Sequence, residues 1–249
     1  MRLARDGLRE IAIAGATVGL GGVGAAWAAL TVSPWWWFAS VPLLVVFGYV
    51  LAFFRDPDRS IPSETGLIVS GADGTVTEIT RLDQYEGIDG PALRIGVFLS
   101  LFNVHINRSP CAARVVRCDY HPGEFLDARH PECGQRNEAM TIRLEPTQTD
   151  ARGPIIVRQI AGLVARRIIC RVGPGDLLER GQRFGMIKFG SRTEVIMPDG
   201  PEVKVAVRLG DKVRGGSTIL VRVGAAEHQD NAASSPDRRA ERKQSAATD

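Results

Sequence analysis

Few residues in this chain have the means to break a covalent bond, and the most suggestive lie in Phe184-Gly-Met-Ile-Lys-Phe-Gly-Ser-Arg192. The Ser191 hydroxyl can attack the carbonyl that precedes it and turn an amide into an ester. Gly190 imposes no side-chain bulk at that link and tolerates a strained backbone. Taken alone, Gly-Ser is also an ordinary turn pair. Upstream, Leu101-Phe-Asn-Val-His-Ile-Asn-Arg-Ser-Pro110 reads as an apolar strand that ends at His105. An imidazole at a strand end is suited to moving protons near neutral pH. Asp73, in Ala72-Asp-Gly74, has the form of a turn carboxylate. His121, His130 and Cys133 are spaced His-x8-His-x2-Cys, which matches no common zinc pattern, so no metal site is assigned.

The elements that must position these groups fall into distinct regions. From Ile11 to Phe54 there are 44 residues without Asp, Glu, Lys or Arg. As one helix they would run to roughly 66 Å, twice a hydrocarbon core of about 30 Å, so two crossings fit better. Ser33-Pro34 marks the turn, and Trp35, Trp36 and Trp37 stand where an aromatic belt meets headgroups. The expectation is a two-helix transmembrane hairpin within residues 1–54, with helices over about 11–32 and 35–54. Arg2, Arg5 and Arg9 before it, with Arg55 and Arg59 after it, put both ends on the cytoplasmic side. Gly15 and Gly19, four apart, either let the helices approach closely or are simply tolerated small residues. Residues 55–62 read as a linker.

Residues 63–224 form a mainly β body of short strands separated by Gly, Pro and Asp, with no long amphipathic helix. Residues 225–249 hold almost no large apolar side chains and are expected to be disordered. A net charge of +3 from 31 basic and 28 acidic residues gives no footprint for nucleic acid. Cys111, Cys118, Cys133 and Cys170 lack CxxC spacing and read as reduced structural thiols. One heptad recurs: Gly175-Asp-Leu-Leu-Glu-Arg-Gly181 and Gly210-Asp-Lys-Val-Arg-Gly-Gly216 both follow Gly-Asp-x-apolar-x-x-Gly. This turn pattern resembles that of a barrel-sandwich hybrid, the fold type of lipoyl and biotinyl carriers.

Several pieces, in order, resemble the phosphatidylserine decarboxylases, and in particular their short prokaryotic branch. They are Phe53-Phe-Arg-Asp-Pro57, Ala72-Asp-Gly-Thr-Val76, Phe102-Asn-Val-His-Ile-Asn-Arg-Ser-Pro110, Tyr120-His-Pro-Gly-Glu-Phe125, Asn137-Glu138 and Phe189-Gly-Ser-Arg192. The resemblance implies self-cleavage between Gly190 and Ser191 and conversion of Ser191 into a covalent pyruvoyl group. It further implies a heterodimer of the two fragments, 1–190 and 191–249, acting on phosphatidylserine at the inner membrane with the catalytic domain in the cytoplasm. His105 would assist processing and then turnover, and Asp73 would orient His105. Arg108, Arg192 and His121 are candidates for holding the substrate. Long members carry a second histidine where this chain has Arg108, and Arg192 stands where the best-known members have threonine.

Three other readings compete. A membrane-anchored carrier or adaptor without catalysis would use Lys188, two residues before Gly190, as its attachment point. A pyruvoyl decarboxylase for a soluble amino acid would explain Gly190-Ser191 but not the hairpin. A Ser-His-Asp hydrolase would want Gly-x-Ser-x-Gly around Ser191 and α/β alternation, and the sequence has neither.

Overall fold

The structure, a computed structural model, describes residues 2–148, 153–163, 167–188 and 190–224. The expected tail at 225–249 and Phe189 of the junction motif lie outside these residues.

Two apolar helices open the chain, α1 (Leu8–Thr31) and α2 (Ser40–Phe53). Both helical segments, Arg5–Thr31 and Pro34–Phe53, are long and apolar enough to cross a membrane. The second was expected to be α-helical from residue 35. Instead, Pro34–Ala39 forms 3₁₀ turns, because Pro34 lacks the N–H needed inside a helix and serves to start one. The close helix contact also falls elsewhere than expected. A β-carbon at Gly21 would come within 2.5 Å of Leu43, whereas Gly15 has a looser contact with Phe47 and Gly19 touches nothing within 4 Å.

The strands of the described residues are, in chain order, β1 (Arg2–Leu3), β2 (Arg55–Asp56), β3 (Leu67–Val69), β4 (Gly74–Leu82), β5 (Ala92–Leu99), β6 (Ile106–Arg108), β7 (Ala113–His121) and β8 (Ala139–Pro146). They continue with β9 (Ile155–Ala161), β10 (Ile168–Cys170), β11 (Leu177–Leu178), β12 (Arg183–Ile187), β13 (Ser191–Pro198), β14 (Val203–Val205), β15 (Lys212–Val213) and β16 (Ile219–Val223). An eight-stranded antiparallel sheet in the order β11-β7-β8-β9-β13-β5-β4-β15 dominates. Bulges at Val76/Glu78 and Val115/Arg117 curl it around the main core of Ile95, Val97, Leu144, Val157 and Val195. Two three-stranded sheets, β10-β12-β6 and β14-β16-β3, complete the body. A single four-residue α-helix, Cys133–Arg136, follows the apolar pair among the described residues.

The repeated heptads form matching edges of the large sheet. Gly175 and Gly210 have φ of 97° and 90°, the left-handed region that glycine enters freely. Asp176 and Asp211 each accept a backbone N–H at 2.8 Å, from Gly173 and Arg208. Gly175 N donates to Val115 O and Gly210 N to Val76 O, both at 2.8 Å. The strands that follow, β11 and β15, pair with β7 and β4.

The helices dock onto the body through the ends away from their connecting turn. Ala4, Phe53 and Phe54 form a small core with Val104, Ile106 and Met186. Asp6 pairs with Arg171, and Arg55 donates to Phe102 O at 2.7 Å. The Arg-Asp-Pro motif acquires a reason here. Asp56 accepts from Arg108 at 3.1 Å and pairs with Arg183 at 2.7 Å, nearly out of water. Removing that anion leaves Arg108 buried without its counter-charge, so Asp56→Ala should cost about 3–5 kcal/mol in urea unfolding. A change within 1 kcal/mol would show that this pair does not secure the helices' base.

Candidate active site

Ser191 is the first residue of β13, and its rung is filled on both sides, by Leu99 of β5 and Ala161 of β9. It is fully buried, and its hydroxyl has no hydrogen-bond partner among the described residues. A buried hydroxyl left unpaired is uncommon, because its lost hydration goes uncompensated. Gly190 enters the strand at φ 67°. A β-carbon there would meet only Leu101, at 3.7 Å, so the backbone angle rather than crowding requires glycine. Crowding does govern Gly162. A β-carbon at that position would lie 2.4 Å from the Gly190 carbonyl oxygen, so only glycine lets the backbone pack against this carbonyl.

His105 was expected at the end of a strand. In the structure β5 stops at Leu99 and His105 lies in the connection to β6. Asn103 makes the break: its side-chain oxygen accepts from both the Ser100 N–H, at 2.9 Å, and the Ser100 hydroxyl, at 2.6 Å. His105 is fully buried, with its ring 4.3 Å from that of Phe53. Its Nδ1 faces Asn103 O at 2.9 Å. A carbonyl only accepts, so Nδ1 carries the proton and Nε2 is an acceptor. Nε2 takes the Gly190 N–H at 3.1 Å. Burial pushes the imidazole pKa down to about 4, with Arg55 adding to the shift and the Asn103 bond opposing it. The ring is therefore a neutral base at pH 7, aimed at the residue before Ser191.

A polar ladder holds this ring in place. Gln159 of β9 donates to Asn107 Oδ1 at 2.8 Å, and Asn107 donates to Thr193 Oγ1 at 2.9 Å. It ties β6, two residues beyond His105, to β13, two residues beyond Ser191. Asn137 braces the neighbouring strand end, donating to Leu126 O and Ala161 O, both at 2.8 Å. Asn103, Asn107, Gln159 and Gly162 were not singled out from the sequence, since only long-range pairing gives them a role.

The other sequence candidates are not gathered here. Asp73 accepts from Arg59 at 2.6 Å and from the Gly215 N–H at 2.8 Å, while the expected partner atom of His105 is taken by Asn103. Arg108 is committed to Asp56, Pro57 O and Gly181 O. Register puts His121, Ala139, Ile160, Arg192 and Phe98 in one row, on the opposite face from Ser191. Arg192 is buried there with Glu78 and Glu194. His121 lines a cleft of about 670 Å³ with Tyr85, Arg143 and Arg158. Lys188 is buried in an ion pair with Glu10 at 2.6 Å, which removes it as an exposed attachment lysine.

Fold and site together define a mainly β protein with an apolar helical pair, in which a buried serine follows a left-handed glycine whose N–H meets a neutral imidazole. The family model for phosphatidylserine decarboxylase matches residues 47–221. Similar proteins include the phosphatidylserine decarboxylase proenzyme of Rhodopirellula baltica, 44% identical over 75% of this chain and 77% of the relative. That of Symbiobacterium thermophilum is 46% identical over 70% and 79%, and that of Burkholderia pseudomallei 42% over 88% and 94%. This chain belongs to the phosphatidylserine decarboxylase family.

The lowered pKa carries a stability signature. Below pH 6.5 the unfolded chain protonates His105 while the folded chain resists until about pH 4. Folding stability should therefore fall as pH drops through this window, with roughly 3 kcal/mol of that loss due to His105. Urea titrations of the wild type and His105→Gln at several pH values measure the difference, and identical slopes would contradict a neutral buried ring.

Proposed function

We propose that this chain is the proenzyme of a membrane-bound phosphatidylserine decarboxylase, which cuts itself between Gly190 and Ser191 and releases CO2 from phosphatidylserine to give phosphatidylethanolamine. The observation that carries this reading is the buried, unpartnered Ser191 hydroxyl at the Gly190 junction, beside the neutral His105.

In the cut, Ser191 Oγ adds to the Gly190 carbonyl carbon and the Gly190–Ser191 C–N bond breaks, leaving an ester and a free amine. His105 is the group to take the hydroxyl proton and return it to the leaving nitrogen. Loss of the Ser191 α-proton then breaks the Cβ–Oγ bond and frees the Gly190 carboxylate. Tautomerisation and hydrolysis of the remaining enamine release ammonia and leave a ketone at the new N-terminus. The orphaned hydroxyl and the close backbone packing at Gly162 suit this conversion.

The resulting pyruvoyl group supplies the electron sink for decarboxylation. The chain's own residues do the rest. Phe53 and the apolar base of the helices keep water from His105, and the imidazole holds or delivers a proton at the reacting carbon. Asp73 serves at one remove, joining Arg59 of the linker to the turn at Gly215. The 1–190 and 191–249 pieces stay associated as a heterodimer because β13 pairs with β5 and β9, both in the upstream piece.

The two apolar helices are read as a transmembrane hairpin over residues 1–54, with the body at the cytoplasmic face of the inner membrane. The basic flanks and the docking of both outer ends on the body support this. The matched Gly-Asp turns support a barrel-sandwich-hybrid-like body over residues 63–224.

Intact-mass measurement of protein purified from membranes should give two fragments meeting at Gly190/Ser191, the smaller blocked at its N-terminus. Ser191→Ala should remain whole and release no CO2 from phosphatidylserine, and an uncut but active wild type would overturn the assignment. Gly162→Ala, which pushes on the Gly190 carbonyl, should slow cutting at least tenfold in a pulse-chase; a wild-type rate would remove that contact from the mechanism.

A further inference from the structure

Two loops beside the Gly190–Ser191 junction expose apolar side chains, where turns ordinarily carry small or polar ones. Leu101 and Phe102 form the tip of the Ser100–Asn103 turn and are 38% and 76% exposed. Leu163, 62% exposed, follows the Gly162 that packs against the Gly190 carbonyl. The loops meet at the junction, since a β-carbon on Gly190 would lie 3.7 Å from the Leu101 side chain. The turn is closed by the Asn103 N–H, which donates to Ser100 O at 3.0 Å, and by the Asn103 side chain, which accepts from the Ser100 hydroxyl. Its tip is therefore fixed in this exposed position.

That tip stands against α2. The Tyr49 hydroxyl donates to Leu101 O at 3.3 Å, and the Tyr49 ring meets the Phe102 ring edge-on at 6.3 Å. Tyr49 precedes Phe53, the docked end of the helix, by four residues, or about 6 Å of helix axis. Phe102 thus climbs the helix past its docked end, to the level of a tyrosine, a side chain that favours the boundary between membrane and water. The other loop returns to the same place. Lys188 N donates to Arg167 O at 3.2 Å, and the Lys188 side chain pairs with Glu10 in the first turn of α1. Arg5 and Arg9 at the start of α1, and Arg167, are exposed around this base. Arginines around an apolar tip match a phospholipid leaflet twice, its phosphates by charge and its acyl chains by polarity. A soluble partner would have to approach along an apolar helix to reach Phe102.

We propose that Leu101, Phe102 and Leu163 form an apolar lip that enters the headgroup–acyl boundary of a phospholipid leaflet and holds the Gly190–Ser191 junction against the layer in which a two-chain lipid lies. This rests on the hairpin reading above and goes beyond it, because the contact is made by the β body itself.

The test uses full-length protein in vesicles of phosphatidylcholine and phosphatidylglycerol in a four-to-one ratio. A nitrobenzoxadiazole label is attached through Phe102→Cys, Leu163→Cys, Val45→Cys or Leu209→Cys, each combined with Cys118→Ser and Cys170→Ser so that only the buried Cys111 and Cys133 remain. Val45 is an exposed side chain of α2, and Leu209 an exposed one in the turn before β15. Lipid spin-labelled near its ester carbonyls should quench positions 102 and 163 at least twofold and leave position 209 unchanged, and lipid spin-labelled near its chain ends should quench position 45. Quenching at 45 but not at 102 and 163 would overturn the lip and leave the hairpin standing. The reverse would overturn the hairpin and leave the lip. Emission at 102 that is shielded from water yet unquenched would mark a protein partner and also overturn the lip. Turnover gives a second readout. The double variant Phe102→Ser, Leu163→Ser should be cut as completely as the wild type by intact mass and should decarboxylate dihexanoyl phosphatidylserine in detergent within twofold of it. On dioleoyl phosphatidylserine in the vesicles it should be at least fivefold slower. An uncut chain, equal loss on both substrates, or a wild-type rate on the vesicles would each overturn the proposal. Failure of the decarboxylase reading is distinguishable, because the wild type would then neither be cut nor release CO2, while the quenching pattern would still stand.

Discussion

The arrangement depends on a single rung of the central sheet, Leu99–Ser191–Ala161, entered through a glycine in the left-handed region. Ser191 has a strand on either side, so its backbone cannot shift without disturbing both. This fixity makes the rest of the site meaningful. His105 keeps a fixed place relative to this rung because the Gln159–Asn107–Thr193 ladder ties its segment to the same strand. Each bond in such a ladder is worth only about 1 kcal/mol net, yet leaving one buried partner unpaired costs more than that. The ladder therefore fixes geometry more than it adds stability.

The apolar helices share in this constraint as well as forming a separate module. Phe53, at the end of α2, lies against the His105 ring, and Arg55 caps the loop that carries it. The imidazole is neutral because it is buried, and the helix end supplies part of that burial. Asp56, the next residue, holds Arg108 and Arg183 of the body. A stretch of four residues thus couples the apolar helices to the buried imidazole and to the fold.

Much of this was legible in the sequence. The charge-free run at the N-terminus marked both helices, and the short segments separated by Gly, Pro and Asp marked the body as mainly β. The Gly-Asp heptads gave two turns because glycine at positive φ and an aspartate bonded to a nearby N–H are local devices. What escaped was non-local. β12 is not legible as a strand because Gly185 interrupts its apolar run, and the reason for that glycine, a β-carbon that would lie 2.2 Å from Ile169 O, is a long-range contact. His105 was placed in a strand because the Ser100–Asn103 turn is a side-chain bond hidden in an apolar stretch. Arg192 adjoins Ser191 in sequence and therefore faces away from it, a consequence of the two-residue period that becomes clear once the strand is placed. Asp73 and His105 each suit catalysis by residue type, but a turn amide, an arginine and a carbonyl are nearer partners.

The central location of β13 has a further consequence for the protein's working life in the proposed reading. A strand at a sheet's margin can leave and be replaced, but one flanked on both sides is threaded in for good once the chain has folded. The two products of the cut would be interlocked from the moment they form, with no route by which a fresh downstream piece could be exchanged for a spent one. A molecule whose built-in ketone is lost to a side reaction would be beyond repair, and the cell would have to synthesise and insert the whole chain anew.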